Sequence, residues 1–396
     1  MVLRENILRA AEALLPEIVE IRRHIHQHPE LSYAEYETAA FISRKLDAMG
    51  IEHRTGIAGT GIVGFIRGEA AGRGLTVGLR ADMDALPITE AAGSEYRSRN
   101  EGVMHACGHD AHMAMLIGAA DIIKNLRKEF AGTVLLVFQP GEEKAPGGAK
   151  MMIETGIFRN YAPDMFIAQH VLADIPSGTV GFHAGPYLAS CDEIYITVAG
   201  KGGHAAQPSH YTDQIYIASE LVISLKDTVA AKSKGRAATI LGIGKITGMG
   251  ATNVIPDKVE IAGTFRTFDE RWREEAKDII RNTASEIARN RGVSIDVNIV
   301  EGYPVLVNNE ALTDRAFELS LQLLGKERVK EVPDRMSSED FSFFAEKYPS
   351  CLYRLGITRE GEKMRPAHSP LFDLDESSMA TGTATLAWLA LNLIKA

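Results

Sequence analysis

Residues 104–112, with the sequence MHACGHDAH, place a thiol, imidazoles and a carboxylate close together along the chain. Cysteine sulfur and histidine nitrogen are the usual protein ligands of zinc-like cations. Cys107 and His109 are therefore candidate metal ligands at a turn between a strand and a helix. The alternative is an ordinary helix start that Asp110 caps, with the histidines on a solvent-exposed surface. This segment alone leaves both interpretations open.

Two carboxylates, Asp82 and Asp84, follow a predicted strand over 75–80 and precede Pro87. Ligands of α/β sheets collect beside the carboxyl ends of the strands. Acidic side chains at that position can bind a cation directly or orient a ligating histidine by a hydrogen bond. A pair of solvated turn carboxylates is the alternative.

Glu142 and Glu143 come directly after another apolar strand, predicted over 133–139. Adjacent glutamates at a strand end can divide the work of a hydrolase. One binds a metal ion, and its neighbour serves as general base toward an attacking water. An exposed acidic loop is the alternative.

Two more histidines, His170 and His368, each follow a short apolar stretch. Either one alone is more often a structural residue than a ligand. Together with the three preceding segments, however, they supply cysteine, histidine, aspartate and glutamate near strand ends. That number of donors suits a centre of two metal ions better than a single ion.

The middle of the chain adds candidates for holding a substrate. His204 lies in the glycine-rich stretch 199–208, where it could stabilise a developing oxyanion. Asn253 and Arg266 are candidate contacts for an anionic substrate group, because arginine pairs well with a carboxylate. An exposed strand arginine is the alternative for Arg266.

Patterns of apolar residues predict the elements that carry these side chains. Helical spacing predicts helices, and apolar runs bounded by Gly or Pro predict strands. The helices are expected over 3–27, 33–49, 112–130, 309–324 and 377–394, and the strands over 61–67, 75–80 and 133–139. Strands that alternate with helices are typical of an α/β domain.

A different order appears between residues 192 and 300. It consists of strand 193–200, helix 213–231, strand 238–246, strand 258–267, helix 270–290 and strand 293–300. This β-α-β-β-α-β order is that of a ferredoxin-like unit. We therefore predict an α/β protein of two domains, with residues 189–302 inserted between the two parts, 1–188 and 303–396, of a larger metal-binding domain.

Composition excludes several classes of protein. The 396 residues include 43 Lys and Arg against 52 Asp and Glu, a formal net charge of −9, which disfavours nucleic acid or anionic lipid as a partner. No apolar run is long enough to span a membrane or to act as a signal peptide. Three cysteines are too few for a disulfide framework. We expect a soluble, cytoplasmic protein.

Taken together, the motifs resemble one known family along nearly the whole chain. They are HPELS at 28–32, RADMDALP at 80–87, MHACGHDAHMA at 104–114, QPGEE at 139–143, QH at 169–170, GKGGHAAQP at 200–208, NVIP at 253–256, GTFRT at 263–267, SSEDFSFF at 337–344 and AHSPLFDLDE at 367–376. The family is the aminoacylase/carboxypeptidase-type binuclear metallopeptidases, in the amidohydrolase branch. That branch includes hippurate hydrolases, auxin–amino acid conjugate hydrolases and N-acetyl-diaminopimelate deacetylases.

The resemblance implies a role for each candidate. Metal ligation is implied for Cys107, His109, Glu143, His170 and His368. Glu142 would be the general base and proton shuttle, and Asp84 the carboxylate that orients the metal site. His204 would be an oxyanion histidine that can be donated across a dimer, while Asn253 and Arg266 would lie near the substrate carboxylate.

The resemblance also implies the architecture, the cofactors and the reaction. We expect a zinc-exopeptidase-like α/β/α catalytic domain whose inserted domain serves as lid and dimerisation surface, in a homodimer or homotetramer. Two divalent ions, of manganese, zinc, cobalt or nickel, would support hydrolysis of N-acyl-L-amino acids.

Three alternatives stay open. A dipeptidase or carboxypeptidase would use the same centre on a different substrate. A thiol hydrolase would use Cys107 as nucleophile without any metal. A metal-loaded binding protein would keep the pocket but have no catalytic activity.

Overall fold

A computed structural model describes residues 2–91 and 93–395. The helices are α1 (Val2–Gln27), α2 (Tyr36–Ala48), α3 (His109–Asn125), α4 (Gly148–Glu154), α5 (Gln214–Lys232), α6 (Glu270–Arg291), α7 (Glu310–Leu324), α8 (Ser342–Ala345) and α9 (Ser378–Leu393). The strands are β1 (Glu52–Ile57), β2 (Gly61–Arg67), β3 (Thr76–Asp82), β4 (Thr133–Gln139), β5 (Met165–Pro176), β6 (Val180–Phe182), β7 (Gly185–Leu188), β8 (Asp192–Ala199), β9 (Gly203–His204), β10 (Thr239–Gly248), β11 (Val254–Ile255), β12 (Lys258–Thr267), β13 (Ser294–Glu301), β14 (Leu306–Asn308), β15 (Val329–Glu331) and β16 (Ser350–Thr358).

The described residues form two compact units. The first comprises residues 2–91, 93–185, 307–333 and 340–395, and the second comprises 186–306 and 334–339. Each unit has its own hydrophobic core. The role of residues 189–302 as a lid domain stays a prediction.

The first unit is built on a mixed sheet. Among the described residues, eight strands follow the order β1-β2-β4-β3-β5-β16-β6-β15. The central pairs β4 with β3, β3 with β5, and β5 with β16 are parallel. Strands β3, β4 and β16 are buried along almost their whole length, as expected for strands covered on both faces. Helices α1, α3 and α9 contribute to the same core.

The second unit has the predicted β-α-β-β-α-β order. Its antiparallel sheet has the strand order β10-β12-β8-β13, and the helices α5 and α6 pack into the same core. In β8, residues alternate between buried and more exposed positions, which is the pattern of a sheet with one face on the core. The predicted α/β fold class, with its ferredoxin-like insertion, is confirmed.

Two predicted helix starts differ from the structure by three residues, whereas the other predicted starts agree to within one residue. Helix α2 begins at Tyr36 and not at Tyr33. Helix α3 begins at His109 and not at His112, which puts both histidines in its first turns. Within residues 2–91 and 93–395, no helix combines the length and the apolar character needed to cross a membrane.

Candidate metal centre

The carboxyl ends of three neighbouring parallel strands lie beside the candidate ligands. β3 ends at Asp82 and β4 at Gln139, and the strand register pairs these two residues. β5 runs parallel to β3 on the other side, and His170 lies two residues beyond the pair formed by Arg80 and Ala168. Loops that leave β3 and β4 therefore start at the edge of the sheet where His170 is located.

The start of α3 brings the MHACGHDAH motif to this edge. Gly108 precedes the helix in the left-handed conformation (φ +89°), and a Cβ at this position would lie 2.5 Å from Cγ2 of Val171. Only glycine combines this conformation with so close an approach. His109 and His112 are buried, the N-cap residue is Gly108, and the carboxylate of Asp110 accepts from Arg22 and lies 2.8 Å from Nδ1 of His26. The alternative of a capped helix start with solvent-exposed histidines is therefore wrong.

Two groups of potential metal ligands share Cys107. One group is Cys107, His109 and His170, and the other is Cys107, Glu143 and His368. In each group, one donor atom per residue lies within 4.8 Å of the others. Glu142 joins a further group with His109 and Glu143. We call these side chains the donor cluster; its members are Cys107, His109, Glu142, Glu143, His170 and His368.

His109 presents one ring nitrogen to the cluster. Its Nδ1 lies 2.8 Å from the backbone oxygen of Asp84 and 3.3 Å from Oδ1 of the same residue. Because that backbone oxygen can only accept, Nδ1 carries a proton and donates it. Among the described residues, Nε2 has no hydrogen-bond partner; it is buried, 3.6 Å from Oδ2 of Asp82 and 4.0 Å from a carboxylate oxygen of both Glu142 and Glu143. A buried nitrogen without a partner among carboxylates and a thiol fits a divalent cation.

His170 presents its ring in the same way. Nδ1 donates to the backbone oxygen of Val171 at 2.7 Å, and Nε2 lies 3.5 Å from Sγ of Cys107. The ring is therefore held through the nitrogen that faces away from the cluster.

Asp84 also holds the loop that carries the two glutamates. Its Oδ1 accepts the backbone N–H of Glu142 at 3.0 Å, and its Oδ2 accepts that of Glu143 at 2.9 Å. Ser32 donates to the same carboxylate at 2.6 Å. These bonds favour the charged form and, with His109, lower the pKa of Asp84 although burial opposes the shift. Asp84 therefore stays ionised and orients both the loop and the ring of His109.

His368 reaches the cluster from an unusual backbone conformation. Its φ of +60° is left-handed, and its N–H donates to the backbone oxygen of Ala106 at 2.8 Å. A non-glycine residue in this region stores backbone strain, which is common at functional sites. Nε2 lies 3.1 Å from Oε1 of Glu143, while about half of the side chain (54%) is exposed. His368 therefore closes the cluster on its solvent side.

The negative charge of the donor cluster lies on acidic side chains, and the partners of these side chains are imidazole rings. Hydrogen bonds to Cys107 and Glu143 raise the pKa of His368 to about 10. Burial alone would lower the pKa of His109, but the charge of Asp82, the neighbouring Cys107 and the bond to Asp84 together outweigh burial and raise it. Protons on these rings thus balance the acids, and an incoming divalent cation would replace them.

The thiol of Cys107 is a poor nucleophile in this setting. Burial, together with the charge of Glu143, raises the pKa of Cys107. Thiolate, and not thiol, is the reactive form. The arrangement therefore disfavours a thiol hydrolase that works without metal, whereas a bound cation would itself stabilise the thiolate as a ligand.

The remaining predicted residues belong to the second unit. His204 on β9 pairs with Val254 on β11, and the N–H of Ala205 donates to the backbone oxygen of Asn253 at 3.0 Å. His204 and Asn253 therefore lie side by side, as two members of one predicted substrate site. Arg266 on β12 donates to the backbone oxygen of Met336 at 2.9 Å. The relation of these three residues to the donor cluster stays a prediction.

Sequence reasoning missed the residues that support the cluster. The carboxylate of Glu35 accepts from the N–H of Gly141, and the ring of Tyr33 packs where a Cβ of Gly141 would lie. Arg80 donates to Asp82 at 2.6 Å. Asp82 was already a candidate, and the signal for its pairing with Arg80 was their spacing of two residues on one strand, which puts both side chains on one face.

Comparison with known proteins identifies the family. Residues 78–392 match the model of peptidase family M20/M25/M40. The chain is 39% identical over 380 residues to "IAA-amino acid hydrolase ILR1-like 2" of Arabidopsis thaliana, covering 96% of this chain and 85% of the relative. It is 38% identical over 378 residues to "Thermostable carboxypeptidase 2" of Saccharolobus solfataricus, covering 94% of each.

A solved structure agrees. The Bacillus subtilis YXEP protein, described as a dinuclear metal binding peptidase from the M20 family, superposes with a TM-score of 0.82 at 31% identity. The match covers 97% of this chain and 99% of that one. The chain therefore belongs to peptidase family M20/M25/M40. It is a metal-dependent hydrolase of amide bonds, and the predicted resemblance is confirmed.

Proposed function

We propose that the protein hydrolyses the amide bond of N-acyl-L-amino acids, releasing a carboxylate and a free amino acid, with two divalent ions in the donor cluster. The observation that carries this proposal is the pair of ligand groups that share Cys107, with Glu142 beside them. The similarity to a hydrolase named for IAA-amino acid conjugates supports the substrate class.

The five ligands divide between the two ions. Cys107, His109 and His170 would hold one ion, and Cys107, Glu143 and His368 would hold the other. When bound, the ions polarise the scissile carbonyl and lower the pKa of water, which makes a nucleophile available at neutral pH. Manganese, zinc, cobalt and nickel are the candidates.

Glu142 handles the proton. Glu142 is not one of the five proposed ligands. It is buried next to His109, and Asp84 fixes its backbone. It takes a proton from the attacking water and returns it to the leaving amine. Without that return, the amine would have to leave as an unstable anion.

His204 is suited to hold the oxyanion. Its Nδ1 accepts the N–H of Ala206 at 3.1 Å, so the proton of the neutral ring lies on Nε2 and is available to donate. The side chain is exposed in the second unit. Asn253, its neighbour, and Arg266 would contact the substrate carboxylate.

A second copy of the chain is the partner that we propose. β10 is an edge strand that exposes Ile240 and Ile246, and α5 exposes Ile215, Tyr216 and Ile223. Edge strands with apolar side chains pair readily with another strand. A homodimer through this unit is proposed, with a homotetramer as the alternative, and sedimentation of the Ile246→Lys variant tests it. The three cysteines are unpaired, which fits the cytoplasm as the proposed compartment.

The substrate is tested with matched pairs of amides. Acetyl, benzoyl and indole-acetyl derivatives of one amino acid are compared with dipeptides that end in the same residue. After chelation, each reaction is repeated with Mn²⁺, Zn²⁺, Co²⁺ or Ni²⁺. We expect N-acyl amino acids to have a higher kcat/KM than the dipeptides, and activity to return with metal.

The same experiment separates the alternatives. A preference for dipeptides would support the carboxypeptidase alternative, which the similarity to the Saccharolobus carboxypeptidase favours. Activity that is indifferent to chelation but lost on alkylation would support Cys107 as nucleophile.

A further inference from the structure

His112 lies between two residues of the donor cluster without belonging to it. It is buried, and it is one helical turn beyond His109 on α3. Its ring centroid lies 5.5 Å from that of His109 and 4.6 Å from that of His170. An imidazole in this place invites the interpretation that it is a further metal ligand.

The hydrogen bonds of His112 exclude that interpretation. Nδ1 lies 2.6 Å from Oδ1 of Asp82, and Nε2 lies 2.9 Å from the backbone nitrogen of Val171. The Val171 N–H can only donate, so Nε2 must accept, and the ring proton must sit on Nδ1 and point to Asp82. Arg80 donates to the other oxygen of Asp82. Both ring nitrogens of His112 are therefore engaged by the protein itself.

Val171 links this ring to the ligand His170. Its N–H donates to His112, while its carbonyl accepts Nδ1–H of His170. The carbonyl thus sets the orientation of the His170 ring, whose Nε2 faces Sγ of Cys107. A shift of Val171 would turn that ring away from the cluster.

We propose that His112 is a positioning residue for His170. By holding the N–H of Val171, it fixes the segment of β5 that aims Nε2 of His170 at the ion shared with Cys107 and His109. The inference rests on the proposed function, since it assumes that His170 holds an ion.

Two substitutions of His112 each keep one of its two hydrogen bonds, the one with Val171 or the one with Asp82. The side-chain oxygen of His112→Gln can reach the position of Nε2 and still accept from Val171. The amide of His112→Asn can reach only the position of Nδ1, so it keeps the bond to Asp82 and loses the one to Val171. Ser320→Ala is the control, because it removes a buried hydrogen bond within α7, from Ser320 to the backbone oxygen of Ala316.

Metal content is the main readout, measured by equilibrium dialysis against Co²⁺ followed by elemental analysis. We expect His112→Asn to require about 10–100-fold more metal to load its second ion, the usual cost of losing a residue that orients a ligand. His112→Gln and Ser320→Ala should load two ions within a few-fold of the wild-type concentration. Thermal unfolding of the metal-free chains shows whether each variant folds.

Equal metal affinities of the Gln and Asn variants would overturn the proposal. If the Asn variant does not fold, the Gln variant decides, because loss of one ion from a folded Gln chain contradicts the role assigned to the Val171 bond. A wild-type chain that binds no ion or hydrolyses no amide contradicts the proposed function. If the wild-type chain binds ions and hydrolyses amides, and both variants bind metal with wild-type affinity, only the role of His112 is contradicted.

Discussion

Two clusters of buried charge meet at the start of α3, and they balance their charges in different ways. In the Arg22 cluster (Arg22, His26, Asp110, Asp373 and Glu376), the guanidinium lies 2.8–3.0 Å from oxygens of all three carboxylates. His26 adds a second contact to Asp110 at 2.8 Å. In the donor cluster, the imidazole rings of His109 and His368 face the carboxylate of Glu143.

The difference lies in where the positive charge comes from. Arginine is always protonated, so the Arg22 cluster carries its own permanent cation. Imidazoles exchange protons for metal ions, so on the proposed function the donor cluster takes its cation from solution. His109 and Asp110 are neighbours in the sequence, yet one belongs to the proposed metal site and the other to a structural ion pair. We expect changes in the first cluster to alter activity and metal content, and changes in the second to alter stability.

The largest effect is expected at Glu142. Glu142→Gln removes the proton carrier, and we expect kcat to fall about 10³-fold, within the range that general acid–base catalysis contributes. Metal content should stay at two ions per chain. Glu143→Gln is the matched control because it should lose metal as well as activity. Steady-state kinetics with elemental analysis checks both, and full activity of Glu142→Gln would refute the assignment.

A large loss of stability is expected at Asp110. Burial alone would raise the pKa of Asp110, but Arg22 and His26 together outweigh burial and hold that pKa well below its usual range. Asp110→Asn leaves the buried Arg22 with one fewer partner, which costs about 3–5 kcal/mol for pairs of this kind. The control is Asp121→Asn on the same helix, where burial raises the pKa of the carboxyl, so that a neutral amide should cost little. Urea unfolding of the metal-free chains measures the loss of stability in both variants. Equal losses for Asp110→Asn and Asp121→Asn would contradict a structural role of the Arg22 cluster.

A pH-dependent contribution is expected from His26. Burial lowers its pKa, but the bonds to Asp110 and Glu90 outweigh burial and raise it to about 9 from 6.5. Its stabilisation is therefore complete below about pH 6.5 and is lost as the pH rises through about 9, by up to about 3 kcal/mol.

The free energy of unfolding of the metal-free chain between pH 6 and 10 tests this contribution. His26→Gln should flatten that part of the profile, whereas substitution of the exposed His210 should leave it unchanged. A wild-type profile that the His26→Gln variant reproduces would show that His26 stays neutral in the folded chain.

The smallest effect on stability is expected at His368. Its side chain is half exposed, so solvent screens its contacts with Glu143 and Cys107, and His368→Ala should lower the free energy of unfolding of the metal-free chain by less than Asp110→Asn does. Metal content should fall from two ions per chain to one. His53→Ala, which removes a ring bonded to Ser43, should keep both ions. Two ions in His368→Ala would remove this residue from the ligand set.

Apolar patterns predicted several strands closely, although β5 and β16 in the middle of the sheet were not predicted. The bounds of β2, β4 and β12 agree with the predicted strands, because buried strands are continuous or regularly alternating apolar runs. The edge strands β1 and β15 were not predicted. Both lie at an end of the sheet and are largely exposed, so their sequences need no apolar run.

The residue types of the candidate site could be predicted from the sequence. The side chains that hold these residues in place could not. Cysteine, histidine and paired glutamates at strand ends indicated a metal centre, and the family resemblance divided their roles. His112 and Asp82 stood in the same motifs, but their roles depend on partners distant in sequence, such as Val171. The pairing of Arg22 with Asp110, 88 residues apart, leaves no local pattern at all.

The central claim is that the donor cluster works only with two ions from solution. The most direct test titrates the chelated wild-type chain with Mn²⁺ or Zn²⁺ while the bound metal and the hydrolysis of one N-acyl amino acid are measured in the same sample. We predict no activity without metal, two ions bound per chain at saturation, and full activity only when the second ion is bound. Full activity of a chain shown to contain no metal would contradict the account.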